Sequence, residues 1–157
     1  MLALKLDTHG KNKKQKEEAM EALKKLSNES NTLNAEIKGH EIEVVSLKSN
    51  SPHQYIFIEI KKAEEQIAKE NNEIFELINE RTSAFYSEDM NAVLQIQTRL
   101  AQKIEKGKHL QEQHERLITQ AGQTWVRVKE LERKTIQKLN RLCEINLELA
   151  NLGFRKA

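Results

Sequence analysis

From Ala19 onward the apolar residues return at alternating intervals of four and three: Ala19, Leu23, Leu26, Leu33, Ile37, Val44 and Leu47, with Ser30 and His40 as the two polar members of the series. A heptad rhythm of this kind holds one narrow stripe of a helix against a partner helix. Ser49-Asn50-Ser51-Pro52 interrupts it. Ser51 is a suitable N-cap and Pro52 suits a first helical position, where a missing N–H is harmless, so a new helix is predicted to begin there. The series resumes through Ile56, Ile60, Ala63, Ile67, Glu70, Ile74, Leu77, Arg81 and then Ala84 or Phe85, with Phe75 and Ile78 widening the stripe. β-prone residues flank the break, from Glu43 to Leu47 and from Tyr55 to Ile58, so a β-hairpin over 42–60 is the local alternative. The heptad steps run on through Val44 and Leu47, which favours helix.

Tyr86-Ser87-Glu88-Asp89 is the next punctuation. Ser87 is the expected cap of the following helix, and Glu88 and Asp89 suit the positive end of its dipole. From Met90 the apolar spacing returns: Val93, Ile96, Leu100, Ile104, Leu110, Leu117, Ala121, Trp125, Val128, Leu131, Leu139, Leu142, Ile145, Leu149 and Leu152. Gly107 and Gly122 interrupt this arm, each at a cost of about 1 kcal/mol relative to alanine in a helix. No cap residue follows Gly107, so a continuous or mildly bent helix is expected. Gly153 supplies a left-handed stop, with Phe154 placed to fold back on Leu149.

Folding the chain about the Tyr86–Asp89 turn sets Leu149 opposite Leu26, Leu142 opposite Leu33, Leu131 opposite Val44 and Val128 opposite Leu47. Charge supports the same pairing. Residues 17–90 hold 16 acidic and 8 basic side chains, whereas residues 91–157 hold 7 acidic and 13 basic. An acidic arm beside a basic arm is the arrangement that flanking charges of a coiled coil favour. The expected fold is therefore all-α: an elongated antiparallel coiled-coil helical hairpin with a break near Pro52. A three- or four-helix bundle is the alternative. Along the chain this gives a flexible basic segment over 1–15, an acidic arm over 16–86 broken at 49–54, a turn at 87–89, a basic arm over 90–152 and a tail over 153–157.

Composition narrows the function classes. The 157 residues are 32% charged and 4% aromatic, with five glycines and one proline, which suits long helices better than an α/β core. Net charge is only +2, which argues against a strongly basic nucleic-acid binder. Cys143 stands alone, so no internal disulfide forms, and a reducing, cytoplasmic setting is expected. No stretch reaches the ~20 apolar residues that span a bilayer, and the short apolar run at Leu2–Leu6 lacks the length of a signal-peptide core. No membrane insertion and no secretion by the general route are expected.

No catalytic, cofactor or metal site emerges. His109 and His114 are five residues apart and point to different helix faces. Glu105 and His109 share a face, which predicts a surface ion pair rather than a metal ligand set. His40, on the stripe, is expected to be a partly solvated histidine. There is no phosphate-binding glycine loop and no nucleophile elbow. The protein is expected not to be an enzyme and to need no cofactor.

Three groups of residues remain as binding candidates. Phe85, Tyr86 and Met90 cluster at the expected tip, where they either staple the turn or present a contact surface. Pro52 falls opposite Gly122, with Trp125 close by, which marks a hinge, a widened section or simply a gap that Trp125 fills. Lys11, Lys13, Lys14 and Lys16 at the start, with Arg133 and Lys134 on the second arm, are candidate phosphate contacts. The outline resembles that of helical-hairpin proteins such as the stalk component of flagellar and type III export machines, small helical export chaperones and the arms of prefoldin. The likeness is one of architecture and carries over no residue. The expected function is an adaptor, chaperone or stalk acting through protein–protein interaction, with a secretion or export assembly as the setting the resemblance implies. A nucleic-acid-associated coiled coil and a homodimeric helical bundle are the alternatives.

Overall fold

The structure, a computed structural model, describes residues 3–50 and 52–156. The elements are β1 (Leu4–Leu6), α1 (Lys13–Ser49), α2 (His53–Tyr86), α3 (Met90–Ala121), α4 (Gln123–Asn151) and β2 (Phe154–Lys156). The class is all-α, as the heptad spacing predicts. The chain forms two compact units. One joins Met1–Leu47 to Arg127–Ala157, and the other is Lys48–Val126.

In the first unit α1 and α4 run antiparallel. Ion pairs fix the register: Glu29 with Arg141 at 2.7 Å, Glu36 with Lys138 at 2.8 Å and Glu43 with Arg127 at 3.0 Å. Numbers rise along one helix as they fall along the other. Ala19, Leu26, Ile145, Leu149 and Phe154 form a buried cluster at the end of this pair. Every member of the α1 series from Ala19 to Leu47, Ser30 and His40 included, is buried or half-buried.

β1 and β2 close that end as an antiparallel pair, with Leu6 opposite Phe154. The segment expected to be flexible over 1–15 thus holds a strand at Leu4–Leu6, and the expected tail over 153–157 holds its partner at Phe154–Lys156. Leu4-Lys5-Leu6 alternates with a period of two, and Leu4 and Leu6 pack on the cluster while Lys5 faces out. The Asp7 amide donates to the Gly153 carbonyl at 2.9 Å, and the Lys11 ammonium donates to the Leu152 carbonyl. Gly153 sits at φ +94°, the left-handed stop that the sequence predicts, and sends Phe154 back onto Leu149. Asn12 caps α1 reciprocally with Gln15: each backbone amide donates to the other's side-chain oxygen, at 3.0 and 2.8 Å.

In the second unit α2 and α3 run antiparallel, joined by the turn at 87–89. Glu64 meets His114 at 3.1 Å and Glu70 meets Lys106 at 2.8 Å, while Lys103 pairs with both Glu70 and Glu73. Leu77, Ile96 and Leu100 are buried together nearer the turn.

Several local expectations are corrected. The β-hairpin alternative over 42–60 is absent, because helix occupies the described residues on both sides of the break. Pro52 takes the N-cap position of α2 rather than its first turn, and the expected Ser51 cap lies outside the described residues. Asp89, not Ser87, caps α3, its carboxylate accepting from the Ala92 amide at 3.1 Å. The second arm is not continuous. It breaks at Gly122, whose φ +55° and ψ −131° lie where side chains clash, while Gly107 stays within α3.

Candidate functional site

The α2–α3 pair has two dissimilar flanks. Counting from buried Leu77, one side of the seam carries Glu73, Glu76 and Glu80 from α2, with Arg99, Lys103 and Lys106 from α3. The other side carries Ile74, Ile78, Arg81 and Phe85 from α2, with Met90, Leu94, Gln97, Ala101 and Ile104 from α3. Arg81 and Gln97 belong to both halves of this second groove, which makes it continuous from the turn down to Ile104.

At one level of this unit charged groups take positions in an otherwise apolar seam. Glu70 is a seam residue and only 3% exposed, and α3 answers it with Lys103, itself at a seam position. Ile104, which the apolar spacing placed on the seam, is turned out and 48% exposed. Beside this seam Ile78, Phe85, Met90, Leu94 and Ile104 are exposed.

The tip residues belong to this face. Phe85 is 60% exposed, Tyr86 81% and Met90 54%. Ala84 takes the seam position beside Leu77, and Phe85, the next residue, lies on the flank of the pair with Met90 and Leu94. Phe85 and Tyr86 meet only edge to face, with centroids 6.2 Å apart. The turn itself is held by backbone, with the Ser87 and Asp89 amides donating to the Ser83 and Ala84 carbonyls.

The internal charges have a pH signature. Hydrogen bonds first from Lys106 and then from Lys103 hold the Glu70 carboxyl below its usual range. A folded value below the unfolded one means that this contribution is complete above about pH 4.5 and is lost as pH falls through the lowered value. The helical melting temperature is therefore expected to drop on acidification from pH 5 to pH 3, and Glu70→Gln should flatten that drop. Circular dichroism melts across this range check it; a melting temperature indifferent to pH contradicts it.

Pro52, Gly122 and Trp125 are also placed. Pro52 and Gly122 each mark the junction of two helices. Half-buried Trp125 stacks on Phe57 at 6.3 Å and receives the His114 ring edge-on at 6.3 Å, so its indole is engaged within the second unit.

Three of the six basic candidates make other contacts. Lys11 holds the Leu152 carbonyl, Lys14 lies 4.0 Å from Glu18, and Lys134 pairs with Glu130 at 2.9 Å. Arg141 gathers Glu29, Glu144 and Glu148, and these bonds raise its pKa and lower that of Glu29. Lys13, Lys16 and Arg133 lie outside these pairs. Glu105 and His109 form the expected surface pair, at 3.5 Å. Among the described residues no three metal-ligating side chains converge, and no helix is long and apolar enough to cross a membrane.

A second exposed apolar row lies on α4, at Ile136, Leu139, Cys143 and Leu147. Leu139 was expected on the seam, but Thr135 and Lys138 occupy the places on either side of that turn, and Lys138 reaches Glu36.

No protein-family model matches the chain, and searches of curated proteins and of solved structures find no match either.

Proposed function

We propose that the protein is a non-enzymatic helical interaction module, working as an adaptor, chaperone or stalk that binds protein partners through the apolar flank of α2 and α3. One observation carries this reading: Glu70 and Lys103 occupy the seam while Ile78, Phe85, Met90, Leu94 and Ile104 face solvent. A partner that covers the flank removes apolar area from water at about 25 cal/mol per Å². The shallow grooves offer no enclosed, water-excluded pocket in which reacting groups could be tuned, which is why binding rather than catalysis is proposed. The proposal does not draw on the resemblance to export stalks and prefoldin arms.

The test is a double substitution, Phe85→Ala with Tyr86→Ala. Both side chains are exposed, so helicity by circular dichroism should be unchanged. Proteins retained by the parent on affinity capture should be lost with the variant. Equal retention by both would remove this flank from the proposal. For the nucleic-acid alternative, the basic residues that face α1 are turned to carboxylates. No retention on a nucleic-acid column at low salt is expected.

A further inference from the structure

We propose that the α2–α3 groove takes a single amphipathic helix of a partner protein, and that this helix brings one carboxylate to Arg81. The inference rests on the interaction-module reading and adds the chemistry of the partner. Arg81 occupies a seam position, is half-buried, and lies at the midpoint of the groove, shared by its two halves. Among the described residues no carboxylate pairs with it. Four other half-buried cations at helix seams are answered by carboxylates: Arg127 by Glu43, Lys138 by Glu36, Arg141 by Glu29 and Lys103 by Glu70. Arg81 is not so answered, and the other residues lining the groove are uncharged. Thr82 and Gln97 line the groove beside it.

Charge complementarity then selects among occupants. A partner that covers the apolar flank also strips water from Arg81, and a guanidinium removed from water without a carboxylate is costly. The occupant must therefore supply an acid within its own apolar face. A second copy of this chain, laid flank to flank, brings another Arg81 and no carboxylate to meet it, which opposes self-association. A lipid surface calls for a lysine- and arginine-rich rim around the apolar face. Here the groove lining carries one cation, Arg81, beside Thr82 and Gln97. The shape fits a helix. Two antiparallel helices leave a groove between their ridges, and from Met90 to Ile104 it runs about 20 Å at 1.5 Å per residue. That length accepts about four turns of a helix with anchors at i, i+4, i+7 and i+11.

The probe is a stapled 16-residue helix with leucines at those four spacings and one glutamate beside the row, compared with the same peptide carrying lysine there. Fluorescence anisotropy with the full chain should show the glutamate peptide binding at least tenfold more tightly. Arg81→Glu should invert that preference, and Arg81→Lys should keep its sign. Leu94→Asp should abolish binding of both peptides while helicity is retained. Equal binding of the two peptides, or binding of neither, overturns the inference. So does a dimer by light scattering that Leu94→Asp dissociates, or Leu94-dependent binding to phosphatidylserine vesicles. Those failures are distinct from failure of the broader reading, which would show as partner capture indifferent to Phe85 and Tyr86.

Discussion

Ile145→Ala should destabilise the protein by about 2–5 kcal/mol, the usual cost of deleting most of a buried isoleucine and leaving a cavity. Ile145 is 1% exposed and sits with Ala19, Leu26, Leu149 and Phe154, where α1, α4 and the short strand pair converge. The strands and helices there hold one another, so little can relax into the gap. Leu147, two residues along, is 66% exposed and on the outer row of α4. Leu147→Ala should change stability by less than about 0.5 kcal/mol. Urea unfolding of both variants followed at 222 nm measures the contrast. Similar costs at 145 and 147 would mean that α4 does not present this face to α1.

The two glycines of the second arm should respond with opposite signs. Gly122 has φ +55° and ψ −131°, far from any region that an alanine enjoys. A Cβ there would meet only the Thr119 carbonyl, at 3.8 Å, so space is not the difficulty. The strain is in the backbone, and Gly122→Ala should cost about 1–3 kcal/mol. Gly107 lies inside α3 with nothing within 4 Å of an added Cβ. Gly107→Ala should therefore stabilise by about 0.4–1 kcal/mol, through better helix propensity and a less free unfolded chain. Thermal melts of the two variants suffice; a matched sign would place the helix break somewhere other than Gly122.

The same two residues show how far the sequence could be read. Spacing alone registered that both glycines interrupt the second arm. It could not decide which one bends the chain, because that choice depends on φ. The seam of α1 was legible in full because its heptad steps are unbroken and mostly apolar. On α3 and α4 the strict steps continue through Lys103, Gly107, His114, Thr135 and Lys138, all half-buried. A reading that follows apolar residues leaves the seam there and picks Ile104 and Leu139 instead. Holding the interval of three and four would have found Lys103 and Lys138, and with them the apolar flank.

The strands at the ends were harder to see. Three residues are too few to establish a period, and β1 acquires its partner only across the whole length of the chain. The Asn12-x-x-Gln15 cap was visible in principle, since reciprocal capping needs only that spacing. The tip was undecidable from composition. Only the helical phase set by Leu77 and Ala84 turns Phe85 outward.

The central claim is that α1 lies antiparallel against α4 of the same molecule, with Glu29, Glu36 and Glu43 facing Arg141, Lys138 and Arg127. Pulsed electron–electron resonance between spin labels at exposed Lys25 and Leu147, with Cys143 replaced and the labelled protein diluted into unlabelled chain, tests it most directly. Helices packed 8–10 Å apart predict one narrow distance of about 2–3 nm once the label tethers are added. A broad distribution beyond about 5 nm, or a short distance that vanishes on dilution, would contradict the pairing.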